Sequence, residues 1–213
     1  MVFVRNRMTA NPFTVTPETT IPEAAALLRE HSIRHLPVVA DGRVVGVLSK
    51  ADIARVSPSP ATSLSTSEIT YLMKKLKVAT AMTRDPITIS PDALLEEAAV
   101  IMRDNKVQML PVVEGGDLVG VITESAILDA FIELLGFRES GTRLTVDTND
   151  APGVLARLGQ VTARRHANIQ HVAVYRGQDR STVVVGVNTP NTDDLEQDLA
   201  ADGFTVVAKL VNP

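Results

Sequence analysis

Leu36-Pro37-Val38-Val39, followed by Val45-Gly46-Val47, returns without insertion or deletion seventy-four residues later as Leu110-Pro111-Val112-Val113 and Val119-Gly120-Val121. Outward from this stretch, Met8-Thr9 matches Met82-Thr83, Thr14 matches Thr88, Pro17 matches Pro91 and Ile53 matches Ile127. The period exceeds the roughly 20–50 residues of a solenoid repeat, so the expectation is two copies of one small module packed on each other. A module of about 60 residues buries only ~60% of its unfolded surface and is marginal alone. The copies should therefore share a core and leave a pseudo-symmetric cleft.

Each copy reads strand, helix, hairpin, helix. Phe13 to Thr16 is a short β-rich run stopped by Pro17, and Thr20-Ile21-Pro22-Glu23 has the spacing of a capping box. Ala24, Ala25, Leu27 and Leu28 then recur at helical spacing. Leu36–Ala40 and Arg43–Leu48 form strands around Asp41-Gly42, a two-residue hairpin signal. Gly115-Gly116 stands at the same place in the second copy, and Ser49 and Thr123 stand where a closing helix starts. Between the copies, Ser57 to Ser63 is turn-rich, and Glu68 to Leu76 reads as a helix with Ile69, Leu72, Met73 and Leu76 on one face.

After Gly136 the pattern becomes βαββαβ, the ferredoxin-like order. Its strands are expected at Arg143–Thr148, Val172–Tyr175, Thr182–Val187 and Phe204–Val211. One helix opens at Ala151-Pro152-Gly153, with Val154, Leu155, Leu158 and Val161 facing inward; the other, Asp194–Ala201, stops at Gly203. The fold class is α+β. The expected divisions are residues 1–56, a linker at 57–78, residues 79–135 and a second domain at 142–213.

Composition narrows the function classes. Apolar residues make up 45% of the 213 residues but aromatics only 3%, so the core is aliphatic. The net charge of −4, without a Lys/Arg tract, argues against nucleic acid as a partner. The absence of cysteine removes disulfides, thiolate catalysis and cysteine-ligated metals. No apolar run approaches the ~18 residues of a membrane helix, and Met1-Val2-Phe3-Val4-Arg5 is too quickly charged for a signal peptide. A cytoplasmic protein without membrane contact is expected. No phosphate loop, nucleophile elbow or paired catalytic carboxylate occurs, and His31, His35, His166 and His171 do not form a metal-ligand set. The chain reads as a non-enzyme, with no catalytic residues and no metal.

Two stretches bear chemistry. In Ser49-Lys50-Ala51-Asp52, a hydroxyl and a carboxylate three residues apart at a helix start suit a vicinal diol, and the helix N–H groups suit phosphate. Spacing alone favours the plainer role, a capping box in which Asp52 ties down the helix. The second copy keeps Thr123 but has Ala126 in place of the acid, and Arg34 and Lys50 become Gln108 and Glu124. One half of the cleft is thus expected to favour anions and the other not. In the second domain, Asp150-Ala151-Pro152-Gly153-Val154 leaves backbone N–H groups at a helix start where a small carboxylate can dock, although spacing alone favours an ordinary turn.

The duplicated part resembles the CBS domain, the tandem module named for cystathionine β-synthase. The matching features are the Thr14–Pro17 segment, Ile33-Arg34-His35-Leu36-Pro37-Val38-Val39 and Gly46-Val47-Leu48-Ser49-x-x-Asp52, echoed by Val107–Val113 and Gly120–Thr123. The resemblance covers residues 1 to about 135 and implies binding of an adenosine ligand: AMP, ADP, ATP or S-adenosylmethionine. It assigns ribose to Ser49 and Asp52, the base to Thr14 and Val15, and phosphate to Arg34 and His35. Ala126 departs from the pattern.

Asp150-x-Pro152-Gly153-Val154-Leu155 followed by Ala167-Asn168-Ile169 resembles the ACT domain over residues 142–213. That resemblance implies an amino-acid effector where two copies meet, held by Asp150, Pro152, Gly153, Val154 and Asn168. His166 stands where that family usually has Gly. The whole arrangement, with the linker Thr62–Leu72, is similar to AcuB-type acetoin-utilisation proteins. It implies a regulator of an unknown target, linked to acetoin or acetate metabolism; because both module types expose edges and have small cores, a homodimer is expected. A structural adaptor without ligand is the alternative, favoured by Ala126 and His166.

Overall fold

The computed structural model describes residues 2–58, 65–177 and 180–212. The chain divides into two compact units, Met1–Leu128 and Asp129–Pro213.

The first unit opens with a 3-10 turn, Val4–Asn6, and the short strand β1 (Thr9–Ala10). The first copy continues with α1 (Ile21–Glu30), β2 (His35–Ala40), β3 (Arg43–Ser49) and α2 (Lys50–Val56). Helix α3 (Thr66–Lys75) and a second 3-10 turn, Val78–Thr80, lead to β4 (Thr83–Arg84). The second copy then supplies α4 (Leu95–Asn105), β5 (Met109–Glu114), β6 (Asp117–Thr123) and α5 (Glu124–Leu134), which runs past the unit boundary.

Local chemistry sets these limits. The capping box at α1 forms: Thr20 N–H donates to Glu23 Oε2 at 2.8 Å, and Glu23 N–H donates to Thr20 Oγ1 at 3.4 Å. Asp41 and Gly42 take φ of 51° and 78°, the two positive values that a tight hairpin between right-twisted strands requires. Gly115 and Gly116 do the same at 62° and 101°.

The sheets, however, are not built copy by copy. β1 pairs with β6 (Thr9↔Val121, Ala10↔Gly120), and β4 pairs with β3 (Gly46↔Arg84, Val47↔Thr83). Each copy's leading strand completes the other copy's sheet, giving the orders β2-β3-β4 and β1-β6-β5. The crossings depend on glycine: a β-carbon at Gly46 would stand 2.7 Å from Met82 Sδ and 2.9 Å from the Thr83 carbonyl oxygen. At Gly120 the corresponding distances, to Met8 and Thr9, are 2.7 and 3.0 Å. The exchange extends upstream, where Val4 N–H donates to Ala93 O and Val78 N–H to Thr19 O. Both valines are fully buried.

Three expectations are corrected here. Phe13–Thr16 is not a strand; pairing begins upstream at Thr9–Ala10, and Val15 makes only a single parallel bridge to Val38, in a segment bracketed by Pro12 and Pro17. On α3, Met73 and Leu76 pack on the first copy's core, but Leu72 is turned outward and 45% exposed. Residues 59–63 of the turn-rich linker, and the Ile69 side chain, lie outside the described set.

The second unit holds β7 (Gly141–Asn149), α6 (Val154–Arg164), β8 (Ile169–Arg176), β9 (Arg180–Val187), α7 (Asp193–Ala201) and β10 (Thr205–Asn212). Its antiparallel sheet has the order β10-β7-β9-β8. Leu144, Val146, Val183, Val185 and Val187 face α6 and α7, meeting Leu158, Val161, Leu195 and Leu199. Leu155, expected on the inner face of α6, is turned out, and Thr162 is buried there instead. The Thr162 hydroxyl donates to the Leu158 and Gly159 carbonyls, which removes the cost of burying it.

Candidate ligand clefts

A cleft of about 330 Å³ opens between the two copies of the first unit. The β1–β6 pairing carries Asn11 and Phe13 to it, the start of β2 supplies Arg34 and His35, and the end of β6 supplies Thr123 with Glu124. Phe13 is half exposed and stacks on His31 with ring centroids 3.6 Å apart. Arg34 Nη2 donates to Ser125 Oγ at 2.9 Å, spanning the two copies. Burial holds the His35 imidazole below its ordinary pKa and the Arg34 charge adds to this, while Asp52 and Glu124 pull the other way. The ring therefore senses carboxylates from both copies.

Of the six residues expected to hold a nucleotide, Arg34 and His35 line this cleft and the other four do not. Val15 is buried beside Val38, on the edge of β2 away from β3, and Thr14 next to it is exposed. Ser49 ends β3, which pairs with β4, and Asp52 lies in the first turn of α2 that follows. Strand exchange is the cause. It brings the first copy's leading segment to Thr123 of the second copy, and the second copy's Thr83-Arg84 to the β3 strand that ends at Ser49. Arg34 of the first copy and Gln108 and Glu124 of the second line one and the same cleft.

Asp52 is 8% exposed and forms the full capping box. Its Oδ2 accepts from the Ser49 N–H at 2.9 Å and the Ser49 hydroxyl at 2.6 Å, and its Oδ1 accepts from Arg55 Nη2 at 2.9 Å. Helix α2 spans only seven residues, so its dipole adds little for an anion. In the second copy Ala126 N–H still donates to Thr123 Oγ1 at 3.3 Å, but no acid closes the box.

In the second unit a cleft of about 520 Å³ lies over the β7–α6 turn. Asp150, Pro152, Gly153 and Val154 line it. Gly153, at φ 84°, is the N-cap of α6, and no side chain caps that helix. Val154, Leu155, Val174 and Val183 give the cleft an aliphatic wall. Its polar groups include the Asp150–Arg176 pair, 3.5 Å apart, and Ser181, whose buried hydroxyl has no hydrogen-bond partner. Asn168 is not in this cleft. It lies at the Ile169↔Val187 end of the β8–β9 pair, opposite the Arg176↔Ser181 end, and its N–H donates to Asn188 Oδ1. His166 takes φ 54°, the left-handed conformation that glycine adopts without strain.

Sequence reasoning missed Phe13 in the first cleft and Arg176 and Ser181 in the second, while Gln108, Thr123 and Glu124 entered only as the second copy's counterparts of Arg34, Ser49 and Lys50. The match of Thr123 to Ser49 was a usable signal. Alternation along Ser181–Val187 puts Ser181 on the inner face, but nothing in the sequence marks its hydroxyl as unpaired. Among the described residues no cluster of His, Asp or Glu could hold a metal ion, and no described helix is long and apolar enough to cross a membrane.

Family models match twice in the first unit's repeats and once beyond them: the CBS domain at residues 4–59 and 78–133, and the TTHA0829-like ACT domain at 140–209. A CBS domain-containing protein of Dictyostelium discoideum is 33% identical over 136 residues, covering 63% of this chain and 94% of that protein. An inosine-5'-monophosphate dehydrogenase of Korarchaeum cryptofilum is 32% identical over 142 residues, 65% of this chain but only 26% of the enzyme's own length. Among solved structures, a putative acetoin utilization protein (AcuB) of Vibrio cholerae is 30% identical with a TM-score of 0.54, covering 65% of this chain and 96% of that one. CBSX2 in complex with AMP is 28% identical at a TM-score of 0.54, over 63% of this chain and 99% of that one. The CBS pair of MJ0100, in complex with 5'-methylthioadenosine and S-adenosyl-L-methionine, is 28% identical at 0.51, over 62% and 96%. By its duplicated, strand-exchanged first unit and its βαββαβ second unit, the chain belongs to the CBS-domain family, as a CBS pair followed by a TTHA0829-like ACT domain.

Proposed function

We propose that this protein is a non-enzymatic regulator whose CBS pair binds an adenosine nucleotide or adenosyl compound. The observation that carries the reading is the cleft between the copies, where Arg34 and His35 meet the hydroxyl-bearing end of the opposite sheet. AMP, ADP, ATP and S-adenosylmethionine are the candidate ligands, and relatives solved with AMP or with S-adenosyl-L-methionine support that class. In this reading Asp52 and Ser49 take the ribose of one half-site, and Arg34 and His35 attract phosphate in the cleft they line. The half-site containing Ala126 depends on Phe13 and Arg34 instead.

The ACT cleft takes a small amino-acid effector. Its carboxylate docks at the uncapped start of α6, its ammonium meets Asp150, and its side chain lies on Val174 and Val183. Asn168 can join that site only from a second copy, because within one chain it lies at the far end of β8. This supports a homodimer, as do the two edge strands β8 and β10 with Tyr175 and Leu210 exposed on them. We place the regulator in the cytoplasm, and the likeness to a putative acetoin utilization protein supports a link to acetoin metabolism. One observation favours a ligand-free adaptor: the Asp52 carboxylate is already engaged by its own helix.

A thermal-shift panel of the four adenosine compounds and the amino acids tests this. A ligand at a hundred times its Kd adds ~2.7 kcal/mol, worth about 2–4 °C per kcal/mol at this size. Silence across the nucleotides selects the adaptor. A nucleotide response undiminished in Asp52→Ala removes that residue from the site.

A further inference from the structure

We infer that Arg55 is an internal competitor for the diol ligand of Asp52, and that ligand binding displaces it and loosens a strap between the two CBS copies. The inference rests on the reading that a ribose meets Asp52. It starts from an inventory of acceptors. A carboxylate offers about four acceptor directions. At Asp52, Oδ2 accepts both the N–H and the hydroxyl of Ser49, and Oδ1 accepts Arg55 Nη2 at 2.9 Å. One direction remains without a partner among the described residues, while a vicinal diol brings two donors.

Room for the second must come from Ser49 or from Arg55. Releasing Ser49 would open the cap of α2 and strand a part-buried backbone N–H. Arg55 is cheaper to move: its side chain is 68% exposed, against 12% for that of Asp52, so water replaces its lost partner. It sits three residues on, one helical turn above the acid, which is why its long side chain reaches back to it.

The same Nη2 also donates to the carbonyl of Ala81 at 3.2 Å. Ala81 is buried and lies between the 3-10 turn Val78–Thr80 and strand β4, the segment that completes the first copy's sheet. One nitrogen therefore ties the ribose acid to the exchanged segment of the second copy. A ligand that takes Asp52 from Arg55 removes one of its two anchors, and occupancy is thereby reported to the inter-repeat crossing.

Calorimetric titration of AMP and 2',3'-dideoxy-AMP into the full chain tests this, because both carry the same phosphate and the charge lost with Arg55 cancels in their ratio. Arg55→Gln should raise the preference for AMP over the dideoxy compound by about 1.4- to fivefold, the range of an exposed ion pair, and Arg55→Lys should return it most of the way to the parent value. Hydrogen exchange over residues 78–82 should quicken on AMP binding and not with the dideoxy compound. An unchanged or reduced preference in Arg55→Gln, with the preference still abolished by Asp52→Asn, overturns the inference and leaves the ribose assignment standing. Unchanged exchange at 78–82 overturns the strap. A preference indifferent to Asp52→Asn overturns the ribose assignment and this inference with it.

Discussion

Replacing Gly46 by alanine tests the strand exchange on which both half-sites depend. The new methyl would stand 2.7 Å from Met82 Sδ and 2.9 Å from the Thr83 carbonyl oxygen. The sulfur ends a flexible side chain and can turn aside. The carbonyl cannot, because Thr83 is paired with Val47 in β3–β4. Restoring ordinary contact requires a backbone shift of a few tenths of an ångström at the crossing, and overpacking of this kind costs ~1–3 kcal/mol. A loss near 2 kcal/mol lowers the melting temperature by about 4–8 °C for a chain of this size. Gly120→Ala, with Met8 Sδ at 2.7 Å and Thr9 O at 3.0 Å, should lose a similar amount. The control is Gly159→Ala within α6, where nothing lies within 4 Å; there the change should stabilise by ~0.5–1 kcal/mol. Thermal and urea unfolding followed by circular dichroism give all three values. If Gly46→Ala melts at or above the parent while Gly159→Ala behaves as stated, the crossing is not built as described.

Ala126→Asp restores the missing acid opposite Thr123, and closing that box should add up to ~1 kcal/mol in urea unfolding; no gain would mean that an acid at 126 does not reach back to the Thr123 N–H. Ser181→Ala removes a buried hydroxyl that has no partner, so the ligand-free chain should be unchanged or slightly more stable, while the melting shift given by an amino-acid effector falls. Burial depresses the folded-state pKa of His35 below 6.5. The unfolded chain therefore takes up this proton first, and the stability from the neutral ring is present above about pH 6.5 and lost as pH falls toward the folded value. The urea midpoint should drop between pH 7.5 and 5.5, and His35→Gln should flatten that difference.

Much of this was legible because local signals agreed with one another. The 74-residue offset announced a paired module, and Asp41-Gly42 and Gly115-Gly116 fixed both hairpins through their need for positive φ. Thr20–Glu23 marked the start of α1. At Ser49-x-x-Asp52 the spacing carried both a cap and a diol site, and the cap, a contact of residues three apart on one chain, is formed. Leu155 and Leu72 were misplaced because helical periodicity gives a face about 100° wide, and only packing decides which flank of it turns outward.

The sequence by itself determined the duplication, the order of strands and helices, the caps and the family, since each rests on neighbours in the chain or on offsets between copies. The tertiary structure alone decided which residues share a cleft. Thr14 and Ser49 belong to one copy, yet the leading strands cross to opposite sheets, so Phe13 meets Thr123 while Thr83 lies beside Val47. Pairing partners of this kind depend on backbone hydrogen bonds, which any residue but proline can make, and on glycines small enough to let one chain pass another. Neither leaves a side-chain pattern from which the partner can be read.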